Sequence, residues 1–419
     1  MEGLSYSGIL LLAVVGTPIY IIMGLFALVA FTFADISTSS VAIEIYRISS
    51  APTLLTIPLF TFAGYVMAES KSPTRLLNLA HAMMGKLPGG VAIMGLCLCA
   101  LFTAFTGASG VTIIALGGLL YPMLIKEGYS EKFSLGILTT SGSLGLLFPP
   151  SLPIILYGII AKVDIDKLFL AGIIPGVLLI VILGGWSIFN GGKSNIPKPE
   201  FSFEKLKSAL WESRYELPLP VIVLGGIYGG IVTPSEASAL TAFYVVIMAC
   251  FLYKDISLFK DMPRIIAESM TLVGAILLIL CCAMGMTNYL VDEEIPMKIL
   301  AWMRTFIDNK YVFLFTLNIF LLIVGCLMDI FSAIMVVVPL ILPIANEFQI
   351  DPLHLAIIFL TNLEIGYITP PVGINLFISS FRFNKPVTTL YKASFPFLIL
   401  MLIALMIITY IPSLTLFWF

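Results

Sequence analysis

Three carboxylates, Glu236, Asp329 and Glu364, lie deep in apolar runs. Around two of them, Asp329 and Glu364, no Lys or Arg occurs anywhere between Tyr311 and Phe381. A charge at the centre of a bilayer costs ~2.5–3.5 kcal/mol and ordinarily marks function. A cation can replace the missing basic partner. Alternatively the acid accepts backbone N–H groups at a helix start. That second role suits Glu236 in "TPSEAS" and Asp329 ahead of "IFSA"; Glu364 is left open between the two. The backbone is a further source of chemistry. "SGSLGLLFPPS" (Ser141 to Ser151) and "EIGYITPPVGI" (Glu364 to Ile374) cut apolar runs with glycines and paired prolines, which cannot continue an α-helix. A helix broken in lipid leaves carbonyls and N–H groups without partners. Free carbonyls suit Na⁺ and free N–H groups suit anions, so each break reads as a coordination site.

The elements that must carry these groups are membrane spans. Apolar residues make up 59% and charged residues 11% of the 419, against roughly 45–50% and about 25% in a soluble domain. The net charge of −2 gives no sign of nucleic-acid binding. No stretch has the pattern of a cleavable signal peptide. The six cysteines all lie in apolar runs and the two histidines are near no Cys pair, so the cysteines read as packing residues and no transition-metal site is expected. No DDxxD, HExxH or Ser–His constellation is present, and the chain is not expected to be an enzyme.

Displacing the chain by 221 residues sets Pro122 on Pro343, Gly145 on Gly366, Pro149–Pro150 on Pro370–Pro371, Pro175 on Pro396 and Gly64 on Gly285. Gly and Pro impose special backbone shapes, so the halves share a fold. The expected fold class is an all-α polytopic membrane protein of two inverted repeats, with about ten crossings and two re-entrant hairpins. The first repeat, 1–190, holds a hairpin at 91–125 and a broken span at 133–161. The second, 217–419, holds a hairpin at 313–348 and a broken span at 353–380. A polar linker, 191–216, joins them, and Phe203 to Arg214 in it reads as an amphipathic helix at the membrane surface. With five crossings per half, 16 of the 22 basic residues fall on one side, which the positive-inside rule makes cytoplasmic. Both termini then face outward.

Inverted repeats with discontinuous helices are the architecture of secondary transporters. The chain resembles the large membrane subunit of tripartite ATP-independent periplasmic (TRAP) transporters over nearly its full length. The residues that carry the resemblance are "IPLFTFAGYVM" (Ile57 to Met67), "FTAFTGASGVT" (Phe102 to Thr112), "GSLGLLFPPSLPIILYG" (Gly142 to Gly158), "GGIVTPSEASA" (Gly229 to Ala239), "MDIFSAI" (Met328 to Ile334) and "NLEIGYITPPVGINLF" (Asn362 to Phe377). The second tip departs from the family's frequent "DPT", with Ile330 and Phe331 after Asp329. The resemblance implies an ion-transporter-superfamily elevator fold and a Na⁺-driven importer of a small organic anion, of the carboxylate, sialic acid or sulfonate class. It also implies a small four-helix membrane subunit, expected to be a separate chain, and an extracytoplasmic binding protein that delivers the substrate. The location it implies is the bacterial inner membrane. Alternatives are a stand-alone divalent anion/sodium symporter, a passive channel and an intramembrane enzyme.

Two Na⁺ sites related by the 221 shift are expected. The first comprises Thr103, Thr106, Gly145, Phe148, Pro149 and Ser151; the second comprises Gly325, Met328, Gly366, Thr369 and Val372. Substrate is expected between the hairpin tips, at Ser109, Gly110, Asp329 and Ser332, with Asn362 and Asn375 beside the second break. Oxygen ligands suffice for Na⁺, so neither site requires a buried carboxylate.

Overall fold

The computed structural model describes residues 2–34, 37–39, 42–43, 46, 50, 52–84, 89–191, 202–307 and 309–419. Among these residues there are helices and no strands. The first half contains α1 (Glu2–Val14), α2 (Ile19–Phe33), α3 (Thr56–Glu69), α4 (Ser72–Met84), α5 (Gly90–Thr106), α6 (Ser109–Lys126), α7 (Glu131–Ser141), α8 (Leu152–Ala161) and α9 (Ile165–Gly191). A short α10 (Phe203–Glu212) comes next. The second half contains α11 (Pro218–Tyr228), α12 (Pro234–Leu252), α13 (Met262–Asp292), α14 (Ile295–Arg304), α15 (Lys310–Leu327), α16 (Ile330–Glu347), α17 (Pro352–Gly366), α18 (Ile374–Phe383) and α19 (Val387–Tyr410). Moved by 221 residues, α6 falls on α16 end to end.

Local sequence explains the element ends. Ser130 accepts the N–H of Phe133 and so starts α7. Thr233 and Glu236 form a reciprocal capping box at the start of α12. Gly107, at φ +65°, closes α5 with a bond from its N–H to the Thr103 carbonyl (2.7 Å), which allows a two-residue turn into α6. The limbs of this hairpin, 17 and 18 residues, are about 26 and about 27 Å long at 1.5 Å per residue, slightly less than the ~30 Å hydrocarbon core. Among the described residues, seven helices are long and apolar enough to cross a membrane. There are eight if α7 and α8, bent by 43° at their break, count as one span.

The halves interlock. Helix α17 packs on α15, α7 on α19, α8 on α16, α18 on α6, and α9 on both α17 and α19. Large apolar side chains such as Phe102, Phe169, Phe359 and Phe397 are buried in this bundle. A second group forms from α2, α3, α12 and α13, with α2 against α13 and α3 against both α12 and α13. It meets the first bundle through α3 on α5 and α13 on α16.

Helices α4 and α14 are short and carry charge, Arg75 in the first and Lys298 and Arg304 in the second. The linker helix ends at Glu212, two residues earlier than expected, and residues 192–201 lie outside the described residues. So do Arg47, Lys86, Lys193 and Lys198, which contribute to the charge bias.

Candidate substrate and ion site

The first break begins where α7 ends at Ser141. A single turn, Leu144–Leu147, comes after it, and the chain re-enters helix at Leu152 beyond the cis Pro149–Pro150 bond. Helix α5 lies directly against this turn: a Cβ on Gly145 would come within 2.6 Å of Thr103 Cβ and collide with the Ala100 carbonyl. Thr103 Oγ1 donates to the Gly142 carbonyl (2.8 Å) and lies 2.6 Å from Thr112 Oγ1. Thr103 is fully buried. Two hydroxyl oxygens and a freed carbonyl therefore converge on the stretch between α5 and the break. Ser151 Oγ donates to the Leu146 carbonyl (2.6 Å), while Thr106 Oγ1 has long contacts to Ala108, donating to its carbonyl (3.4 Å) and accepting its N–H (3.5 Å). Phe148 and Pro149 line a separate apolar cavity of about 270 Å³ with Cys97 and Pro220.

The second break is held by α15. Gly325 and Gly366 bring the two backbones into contact, such that a Cβ on Gly366 would lie 2.5 Å from Gly325 Cα. Gly373 N–H donates to the Cys326 carbonyl (3.3 Å), and Asn375 N–H to the Tyr367 carbonyl (3.1 Å). A Cβ on Gly373 would lie 2.8 Å from the Thr369 carbonyl oxygen and 3.1 Å from that of Tyr367. Three carbonyls, those of Cys326, Tyr367 and Thr369, thus gather around Gly373. Thr369 Oγ1 donates to the Ile365 carbonyl (2.8 Å). The Val372 side chain is exposed, and Met328 adopts an extended backbone just ahead of the tip. The 221 shift carries the Thr103 and Thr112 hydroxyls onto Val324 and Ala333, so the side-chain oxygens of the first break have no counterpart at the second.

Between the tips lies a cavity of about 390 Å³. Gly107 to Val111 of the first tip and Asp329 to Phe331 of the second line it, closed by Tyr65 of α3 and by Leu272, Ala275, Ile276 and Ile279 of α13. Asp329 caps α16: Oδ1 accepts the N–H groups of Phe331 and Ser332 (3.0 Å each), and Oδ2 accepts the Ser332 hydroxyl (2.5 Å). The Tyr367 hydroxyl accepts the Ile330 N–H (2.9 Å). Ser109 Oγ donates to Asn375 Oδ1 (2.7 Å), whose amide reaches the Thr139 carbonyl (3.3 Å). The first tip is thereby tied to the helix beyond the second break.

Of the six substrate residues expected, Ser109, Gly110 and Asp329 line the cavity, and Ser332 and Asn375 are bonded to residues that line it. Asn362 does not. Its amide donates to Asn318 (2.7 Å) and to the Ile358 carbonyl (2.8 Å), and Asn318 continues to Thr409 (3.0 Å). This buried polar chain joins α17, α15 and α19, because Asn362 faces away from the tips. Glu236 is spent on its capping box. Glu364 is fully buried, and among the described residues neither of its carboxyl oxygens has a hydrogen-bond partner. The sequence reading missed Thr112, Gly142, Tyr367 and Gly373. The first two are found only by placing α6 and the break beside Thr103. The last two had a visible signal in "GYITPPVG", where the glycine and tyrosine flank the prolines.

Comparison with known proteins now places the chain. The family described as "Tripartite ATP-independent periplasmic transporter, DctM component" matches residues 7–414. The chain is 39% identical over 97% of its length to an isethionate TRAP transporter permease protein DctMQ of Oleidesulfovibrio alaskensis, of which it spans 65%. It is 37% identical over 93% of its length to the C4-dicarboxylate TRAP transporter large permease protein DctM of Pseudomonas aeruginosa, covering 91% of that protein. An ectoine/5-hydroxyectoine TRAP transporter large permease protein of Ruegeria pomeroyi is 28% identical over the whole chain. Among solved structures, the YdaH transporter of Alcanivorax borkumensis aligns with a TM-score of 0.62 at 13% identity, covering 91% of this chain and 88% of that one, which is a likeness of fold.

Proposed function

The chain belongs to the DctM component family of tripartite ATP-independent periplasmic transporters, and on that premise we propose that it is the translocating subunit of a Na⁺-coupled importer of small organic anions. One observation carries this reading: two helix breaks, each packed backbone to backbone against a hairpin limb, flank a single cavity that both hairpin tips line. Na⁺ is a hard cation that takes oxygen ligands. The Thr103, Thr112 and Gly142 oxygens serve one break, and the Cys326, Tyr367 and Thr369 carbonyls the other. Ions at the breaks hold the tips in place, and the tips hold the substrate. Relatives named for isethionate, C4-dicarboxylates and ectoine support a small, charged organic substrate.

The cavity lies where the two helix groups meet, with the tips on one wall and α3 and α13 on the other. We read the interlocked bundle α5–α9 and α15–α19 as the element that slides, elevator fashion. The group α2, α3, α12 and α13 is the scaffold that meets a small membrane subunit. We read the two halves as inverted repeats in a bacterial inner membrane, with both termini in the periplasm, where an extracytoplasmic binding protein delivers substrate. The test is uptake into liposomes containing this chain with its small subunit and binding protein. Uptake should require an inward Na⁺ gradient, and Thr103→Val, which removes a hydroxyl from the first break, should need more Na⁺ than the native chain. Uptake indifferent to Na⁺, or a Thr103→Val variant with the native Na⁺ dependence, would refute the coupling sites.

A further inference from the structure

A second cavity, of about 320 Å³, lies apart from the one between the tips. Its lining changes character along α19. Lys392 of that helix and Lys132 of the first turn of α7 supply two ammonium groups. Leu398 lies six residues further along α19, about 9 Å at 1.5 Å per residue, and with Phe395 it makes the lining apolar. Ile368 and Pro370 of the second break complete that apolar part. The Tyr391 hydroxyl donates to the Pro371 carbonyl (2.6 Å), which fixes α19 against the break. No Asp or Glu lines the cavity, and among the described residues neither lysine has a carboxylate partner. The acid next to Lys132 in the chain, Glu131, is held instead by Lys385 (2.5 Å) and by the Tyr121 hydroxyl (3.2 Å). The cavity also continues into an exposed apolar row. Phe395 is 59% exposed, and Ile399 and Ile403, each one turn further on, are 44% and 50% exposed. On a membrane-spanning helix such a row faces hydrocarbon.

We propose that this cavity binds an anionic phospholipid, with the phosphate at Lys132 and Lys392 and one acyl chain running along Phe395 and Leu398 against the second break. The positive-inside rule sets both lysines at the cytoplasmic surface, where basic pockets between helices take acidic head groups. Two like charges that share one opening repel each other until an anion joins them. A small free anion would satisfy the lysines and leave the apolar part unfilled. A lipid without net charge would fill the apolar part and leave the lysines unpaired. A molecule with a negative head and a hydrocarbon tail satisfies both, and burying the tail is favourable in proportion to its area. The lipid would touch Ile368 and Pro370, so it braces the second break from the bilayer side.

The test uses the purified full-length chain in a neutral detergent, with thermal shift as the readout. The probes are dioleoylphosphatidylglycerol, dioleoylphosphatidylcholine and glycerol 3-phosphate. Phosphatidylglycerol should raise the melting temperature saturably at concentrations where the other two do not. Lys132→Gln/Lys392→Gln should weaken that effect roughly thirtyfold in lipid concentration, the scale set by two basic groups beside an anionic head. Lys126→Gln/Lys205→Gln removes the same charge outside the cavity and should respond as the native chain does. Equal stabilisation by phosphatidylcholine, or native affinity in the Lys132/Lys392 variant, would overturn the proposal. Glycerol 3-phosphate as effective as the lipid would show a free-anion site and overturn it too. Loss of the stabilisation when the small subunit is bound would assign the groove to that partner instead.

Discussion

Replacing Arg75 tests how the first half is fastened to the linker. Arg75, on α4, sits in a buried cluster. Its Nε donates to Glu216 Oε1 (2.5 Å), its Nη1 to Asp255 Oδ2 (2.7 Å), and its guanidinium stacks 3.6 Å over the Tyr253 ring. The side chains of Arg75, Glu216 and Asp255 are 11%, 1% and 6% exposed. Tyr253 donates to Glu216 Oε2 (2.8 Å), and Ser72 to Glu216 Oε1 (3.1 Å). Burial first, then the bond to Glu216, pushes the Tyr253 hydroxyl above its usual range, so it remains a donor. Arg75→Met keeps the apolar stem and leaves two carboxylates without their cation. Breaking a buried pair by removing one partner costs about 3–5 kcal/mol, and two acids share this cation, so the upper part of that range is expected. A charge-free triple variant, Arg75→Met/Glu216→Gln/Asp255→Asn, should recover most of the loss, because no uncompensated charge remains. Arg304→Met provides the contrast. Arg304 pairs with Glu347 at 3.3 Å with both side chains about half exposed, and its loss should cost about 0–1 kcal/mol. Denaturant unfolding of the purified proteins in detergent, followed by tryptophan fluorescence, measures all three. Native-like unfolding of Arg75→Met, or a triple variant less stable than the single, would refute the idea that the cluster holds the linker through charge.

Two further outcomes are expected. Gly366→Ala drives a methyl group into the Gly325 backbone, which cannot swing aside as a side chain can; overpacking of this kind costs typically about 1–3 kcal/mol. The variant should melt below the native protein and lose uptake, and native uptake with a native melting point would show that α15 does not seat on the break. For topology, a membrane-impermeant thiol reagent applied outside should label Lys298→Cys and not Lys205→Cys in a cysteine-free background; the opposite pattern would overturn the inverted arrangement.

Much of this was legible in the residue order because it depends on neighbours within one turn. Prolines stop helices wherever the chain runs, since they lack a donor and clash with the preceding turn, so both breaks could be located at "FPP" and "TPP". The Thr233–Glu236 box and the Asp329 cap join residues three apart, a spacing that α-helical geometry sets on its own. Spacing of the same kind marked the start and apolar face of α10. Other features required the packed molecule. Ser109 meets Asn375 across 266 residues, and Arg75 meets Glu216 across 141. Asn362 and Glu364 are two positions apart in one helix and face different neighbours, because successive residues turn by about 100°. Asn362 found a polar chain, while Glu364 found no partner among the described residues. The sequence alone determined where the chain had to break and which helix ends carry their own caps, because those rules act within a few residues. Only the tertiary structure decided which hydroxyls and carbonyls gather at each break, and that one tip keeps its N–H groups occupied while the other leaves them uncapped. Those outcomes depend on which faces of distant helices are pressed together, and local spacing does not encode that.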